Sequence, residues 1–202
     1  TLVQNILVQL APRVPAIVPD LRGDYECLAR HLPNCRLFTF GSFPHHRPTP
    51  LNLLLGPANV PPSVFHQRLA TAFTERFDAG QASRRYLNKV LDELDLRRHE
   101  TGHWPCLLDL LDALEQKKEP RGSDELSFRH RCLARVAALC RALGPEAIGV
   151  ERGIDVGELV SRNQTLIFRL EAELSVQDFF VNWLLPGSRV ECQDRWSSRR
   201  VA

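Results

Sequence analysis

One stretch limits the folds open to this chain more than any other: Val14-Pro15-Ala16-Ile17-Val18-Pro19-Asp20-Leu21-Arg22-Gly23-Asp24-Tyr25. A short apolar run stops at two acids separated by a basic residue and a glycine, which reads as a buried strand delivering carboxylates to a turn. Before it, Leu2, Val3, Ile6, Leu7 and Leu10 fall at the spacing of a helix face. The chain therefore opens helix, turn, strand. Tyr25 to Leu32 then reads as a short helix, and Arg36-Leu37-Phe38-Thr39-Phe40 alternates like a second strand. This is the start of an α/β protein.

From Gly41 to Pro62, prolines stand at 44, 48, 50, 57, 61 and 62, which excludes regular helix and central strand. The next eighty or so residues are helical in pattern. Ser63 and Ser83 are expected caps of two helices, Pro105 a first-turn proline of a third, and Ser123 the cap of a fourth that ends at Gly144-Pro145. The α/β pattern returns with a strand over Gln164 to Leu170. Ser175-Val176-Gln177-Asp178 then resembles a capping box for a helix over Phe179 to Leu185. Strand, helical block and strand in that order predict residues 63–150 as an insertion between two parts of one sheet, 1–62 and 151–202.

Composition narrows the class without choosing a partner. At 202 residues and 44% hydrophobic, the chain has ample material for a core. A net charge of +2 means that any grip on nucleic acid must come from a local basic patch. No apolar run approaches the ~20 residues needed to span a bilayer, and no signal-peptide pattern opens the chain, so a cytoplasmic setting is expected. The cysteines at 27, 35, 106, 132, 140 and 192 form no C-x-x-C pair and are expected to be mostly reduced core residues. There is no methionine, where ordinary usage predicts about four, and the first residue is threonine. The sequence is read as a fragment, or as one from which residues are missing.

Two further motifs carry chemistry. His99-Glu100-Thr101-Gly102-His103 fits H-E-x-x-H, the pattern that sets two imidazoles around zinc with glutamate as base. Gly102 and Pro105 place it at a helix end, where the two histidines need not share a face. Basic pairs such as Arg84-Arg85, Arg97-Arg98 and Lys117-Lys118 read as solvated helix faces, some of them able to grip a phosphate backbone without sequence preference.

The acidic turn Asp20-Leu21-Arg22-Gly23-Asp24-Tyr25 resembles the D-P-K-G-D element of the HerA/FtsK-type P-loop ATPases, with leucine for proline and arginine for lysine. Thr49-Pro50-Leu51, the Pro105 to Leu114 pattern and Gly153 to Leu159 extend the resemblance over residues 1 to 185. It implies an α/β, RecA-like P-loop fold with a mostly parallel sheet and an inserted helical bundle. Thr1-Leu2 then looks like the start of the helix after a P-loop, with the glycine loop absent. The implied ligands are ATP and magnesium. Thr1 would be the magnesium hydroxyl, Asp20, Gly23 and Asp24 would line the nucleotide site, and Asp20 would also be catalytic. Glu191 would match the water-activating glutamate, although Val190 stands where the family has aspartate. The implied activity is ATP hydrolysis coupled to moving DNA, in a homo-oligomeric ring. The alternatives are a scaffold that binds nucleotide without turnover, and a zinc hydrolase built on His99, Glu100 and His103.

Overall fold

A computed structural model describes residues 2–41, 47–56, 60–76 and 80–184. Helix α1 (Leu2–Leu10) leads into strand β1 (Ala16–Asp20), followed by α2 (Glu26–His31) and β2 (Cys35–Phe40). Five helices come next: α3 (Pro62–Arg76), α4 (Gly80–Thr101), α5 (Leu107–Gln116), α6 (Asp124–Leu143) and the single turn α7 (Pro145–Ile148). The chain returns through α8 (Val156–Ser161) to β3 (Thr165–Leu170) and a helix α9 over 174–184. The protein is α/β, with a small three-stranded parallel sheet and many helices.

Among the described residues, the last strand in sequence is the middle one in space. The order is β1-β3-β2 and both pairings are parallel, so β3 is flanked on both edges and covered on both faces. That position explains why Thr165-Leu166-Ile167-Phe168-Arg169-Leu170 is nearly continuous in burial, whereas a half-exposed strand would alternate. Leu166 and Phe168, with Phe38 and Phe40 of β2, face the helical block and share one core with Leu87, Leu110 and Val136. Phe168 stacks on Phe38 at 5.3 Å and on Phe40 at 6.0 Å, and Phe180 of α9 closes on Phe40 at 4.9 Å. The opposite face carries a smaller cluster of Val18, Ile167 and Cys35, covered by Leu28 of α2 and Leu7 of α1.

β1 is an edge protected by proline. Thr165 donates its N–H to Asn34 at 2.8 Å, so residue 165 points its backbone groups toward β2. Backbone groups alternate sides along a strand, so 166, 168 and 170 serve β1, which answers with 16, 18 and 20. Residues 15, 17 and 19 are left facing outward, and two of these are prolines with no N–H. An edge short of donors resists pairing with another strand.

Some boundaries differ from those the sequence suggests. Ser83 does not cap a helix: α4 begins three residues earlier at Gly80, and Ser83 is fully buried within it. Pro105 precedes α5, whose start is fixed by a box in which Cys106 N–H donates to Asp109 at 2.7 Å. Helix α9 begins at 174, ahead of the expected Ser175 cap, because the Glu173 carbonyl already accepts from Val176 N–H at 2.9 Å and Gln177 N–H at 3.0 Å. The Ser123 cap holds, with Leu126 N–H donating to its hydroxyl at 3.3 Å. Gly144 ends α6 at a φ of +84°, a conformation that costs glycine little.

Helix α1 is apolar and has no buried residue; Leu2, Val3, Ile6, Val8 and Leu10 are all exposed. Among the described residues no helix is long and apolar enough to cross a membrane.

Candidate functional site

In an open parallel sheet the strands all end on one side, and backbone groups and loops there are free to meet a ligand. Asp20, Arg169 and Thr39 stand in register across β1, β3 and β2 at that end. Strand alternation sets these three polar residues on one face, the face covered by α1 and α2.

Asp20 is 1% exposed and its charge is answered by the turn that follows. One carboxylate oxygen accepts from Gly23 N–H at 2.8 Å and Asp24 N–H at 3.0 Å, with Arg22 N–H farther off at 3.4 Å; the other accepts from Tyr25 N–H at 3.1 Å. Successive amides converging on an anion make a nest, and here a side chain of the same strand fills it. Burial of a carboxylate is tolerable because these charge-assisted bonds replace water. Asp20 thus sets the shape of the turn.

Gly23 meets two demands. Its φ is +81°, and an added Cβ would lie 3.3 Å from the Arg169 guanidinium. Arg169 reaches from the central strand across this glycine to Glu26, in the first turn of α2, and lies 3.6 Å from Glu171. Strand β3 is therefore locked to the turn after β1.

Asp24 is the exposed acid of the pair. It does not cap α2: the N-cap position is Tyr25 and no side chain bonds there. Its carboxylate has no hydrogen bond or ion pair among the described residues. Its carbonyl accepts from Gln4 Nε2 at 2.7 Å, which ties the first turn of α1 to the acidic turn. Because α1 folds back into β1 through a short turn, its N-terminal end, where the helix dipole is positive, lies at the C-terminal end of β1.

Thr39, at the far end of the row, is 4% exposed. Its hydroxyl donates to the Arg47 carbonyl at 3.2 Å, its N–H donates to Thr49 Oγ1 at 3.1 Å, and its carbonyl accepts from Thr49 N–H at 2.9 Å. This ties the Thr49-Pro50-Leu51 element to the end of β2.

Asp20, Gly23 and Asp24 are thus brought together, and Thr1 and Glu191 lie outside the described residues. Sequence reasoning missed Arg169 and Glu26, although one signal was available: an arginine interrupting an apolar strand must find a partner when that strand is buried.

The H-E-x-x-H segment is split. Helix α4 stops at Thr101 and Gly102 turns at a φ of +75°, so His103 leaves the helix. His99 lies 3.6 Å from Asp95, while His103 turns to Glu151 and Asp109. Among the described residues no three His, Cys, Asp or Glu side chains form a group able to hold a metal.

No protein-family model matches this chain, and no curated protein matches it significantly.

Proposed function

We propose that the chain is a large part of the ATP-binding and hydrolysing core of a HerA/FtsK-like DNA motor, with a RecA-like P-loop fold. The observation that carries this reading is the Gln4–Asp24 hydrogen bond, which holds a helix N-terminus against an acidic glycine turn at the C-terminal edge of a parallel sheet. Phosphates favour such a place, because unpaired amides and the helix dipole both attract anions.

In this reading Asp20 shapes the turn and acts on the nucleotide through it. Asp20, Gly23 and Asp24 would line the nucleotide site, with the Asp24 carboxylate exposed and unpartnered among the described residues, and Thr1 would offer a hydroxyl to magnesium. Bound magnesium would supply charge neutralisation for the phosphates. Glu191 takes the proton from the attacking water. DNA would lie along basic faces of the helical block, gripped through its backbone, in a ring whose neighbouring subunits complete each site.

One observation favours the non-hydrolysing scaffold as the second reading: both oxygens of Asp20 are already committed to backbone amides. The two readings part on turnover. With the full-length polypeptide, Mg-ATP binding and hydrolysis are measured for wild type and Asp24→Asn. The motor reading expects hydrolysis that falls by about tenfold or more in the variant while the fold is kept. Binding without turnover in wild type supports the scaffold, and no nucleotide binding at all sinks both.

A further inference from the structure

We propose that His103 is a proton-operated clasp joining the α4–α5 loop to the α7–α8 loop, outside the site described above. Gly102 throws His103 off the end of α4. Its Nδ1 lies 2.7 Å from Glu151 Oε1 on the α7–α8 loop, and its Nε2 lies 3.4 Å from Asp109 Oδ2 on α5. The two ring nitrogens thus each face a carboxylate. Neutral imidazole has one N–H and one lone pair, and a lone pair repels a carboxylate. Both contacts together require the imidazolium, so the arrangement selects the protonated ring.

The same two loops are pinned from the inside by a group that does not titrate. Asn52, 4% exposed, donates its two amide hydrogens to the carbonyls of Pro105 at 2.9 Å and Glu151 at 2.8 Å. Loss of the outer contact therefore loosens the loop and leaves the fold intact. The charged groups facing His103 among the described residues are Glu151 and Asp109; nearby Arg98 is engaged with Asp95 and lies over the Trp104 ring.

The hydrogen bond to Glu151 raises the His103 pKa above its ordinary value, with Asp109 adding to the effect. A raised folded pKa makes the contribution complete below the unfolded value of about 6.5 and loses it as pH climbs through the folded value. All three side chains are substantially exposed, so solvent screening keeps the effect local.

The test is hydrogen exchange of the intact protein, resolved to residues 149–154 and corrected for intrinsic rates, between about pH 5.5 and 8.5, with His103 titrated by NMR. We expect protection of 149–154 to fall about threefold or more across the interval in which His103 titrates. Glu151→Gln, at an exposed position, should lower the His103 pKa and flatten that step, and His103→Gln should abolish it. Protection that does not change with pH in wild type, or a step that survives in folded His103→Gln, overturns the proposal.

Discussion

Asp20 and Arg169 stand opposite one another on neighbouring strands, and each turns its charge to a different partner. Asp20 faces the amides of residues 22–25, and Arg169 crosses Gly23 to reach Glu26. One turn is thereby held twice, by a carboxylate from below and a guanidinium across it.

Truncating Asp20 should cost stability ahead of any effect on activity. Asp20→Ala leaves at least three amides without their acceptor, and hydrogen bonds to a charged group are worth about 1.5–3 kcal/mol. We expect a loss of about 2–4 kcal/mol in denaturant titration, and a smaller one for Asp20→Asn, which keeps one acceptor oxygen. A change for Asp20→Ala within about 0.5 kcal/mol would show that the nest is not maintained in solution.

Gly23→Ala combines a backbone and a contact penalty. The positive φ alone costs a residue with a Cβ about 1–2 kcal/mol, and that Cβ would press on Arg169 at 3.3 Å. Repeating the substitution in an Arg169→Gln background separates the two terms: the contact part should disappear and the backbone part should remain. Identical losses in both backgrounds would rule out the contact.

Phe168 is fully buried among Phe38, Phe40 and Phe180 on the central strand. Phe168→Ala should destabilise by about 3–5 kcal/mol, the transfer and cavity costs together. Thermal unfolding checks this directly, and a loss below about 1 kcal/mol would contradict β3 as the packed middle of the sheet.

Thiol labelling should be selective. Burial pushes the Cys132 thiol up to about 11 and the Cys140 thiol up to about 12, and it raises Cys35 and Cys106 as well. Only the thiolate attacks an alkylating agent, so these four should stay unmodified in native protein near pH 8 while exposed Cys27 reacts. Modification of Cys132 or Cys140 at the rate of Cys27, read by peptide mass spectrometry, would mean that the helical block opens.

Helix α1 should tolerate charge. None of its residues is buried, so Ile6→Glu is expected to change stability by no more than about 0.5 kcal/mol while reducing binding of an apolar dye. A loss above about 2 kcal/mol would show that the exposed stripe is covered in solution.

Much of the secondary structure is legible in local pattern. The alternation around Phe38 and Phe40, the apolar run ending at Asp20 and the Ser123 and Gly144 signals around α6 each describe a preference acting over a few residues. The expected Ser83 cap failed for a tertiary reason, since a serine can be drawn into a helix when its turn is buried against neighbours. The candidate site was half legible. Asp20, Gly23 and Asp24 lie within five residues, so their proximity follows from the chain itself, whereas Arg169 is 149 positions from Asp20.

By itself the sequence determined the three strands and the longer helices, though not all of their ends, that the acids follow a strand, and that glycine sits between them. These are consequences of side-chain periodicity and backbone freedom. Tertiary structure alone decided that β3 lies between β1 and β2, which acid is buried and which is exposed, and that His103 leaves its helix to meet Glu151. Those outcomes depend on which distant groups arrive to pair a strand edge or satisfy a buried charge, and such pairings are set by the packing of the whole core.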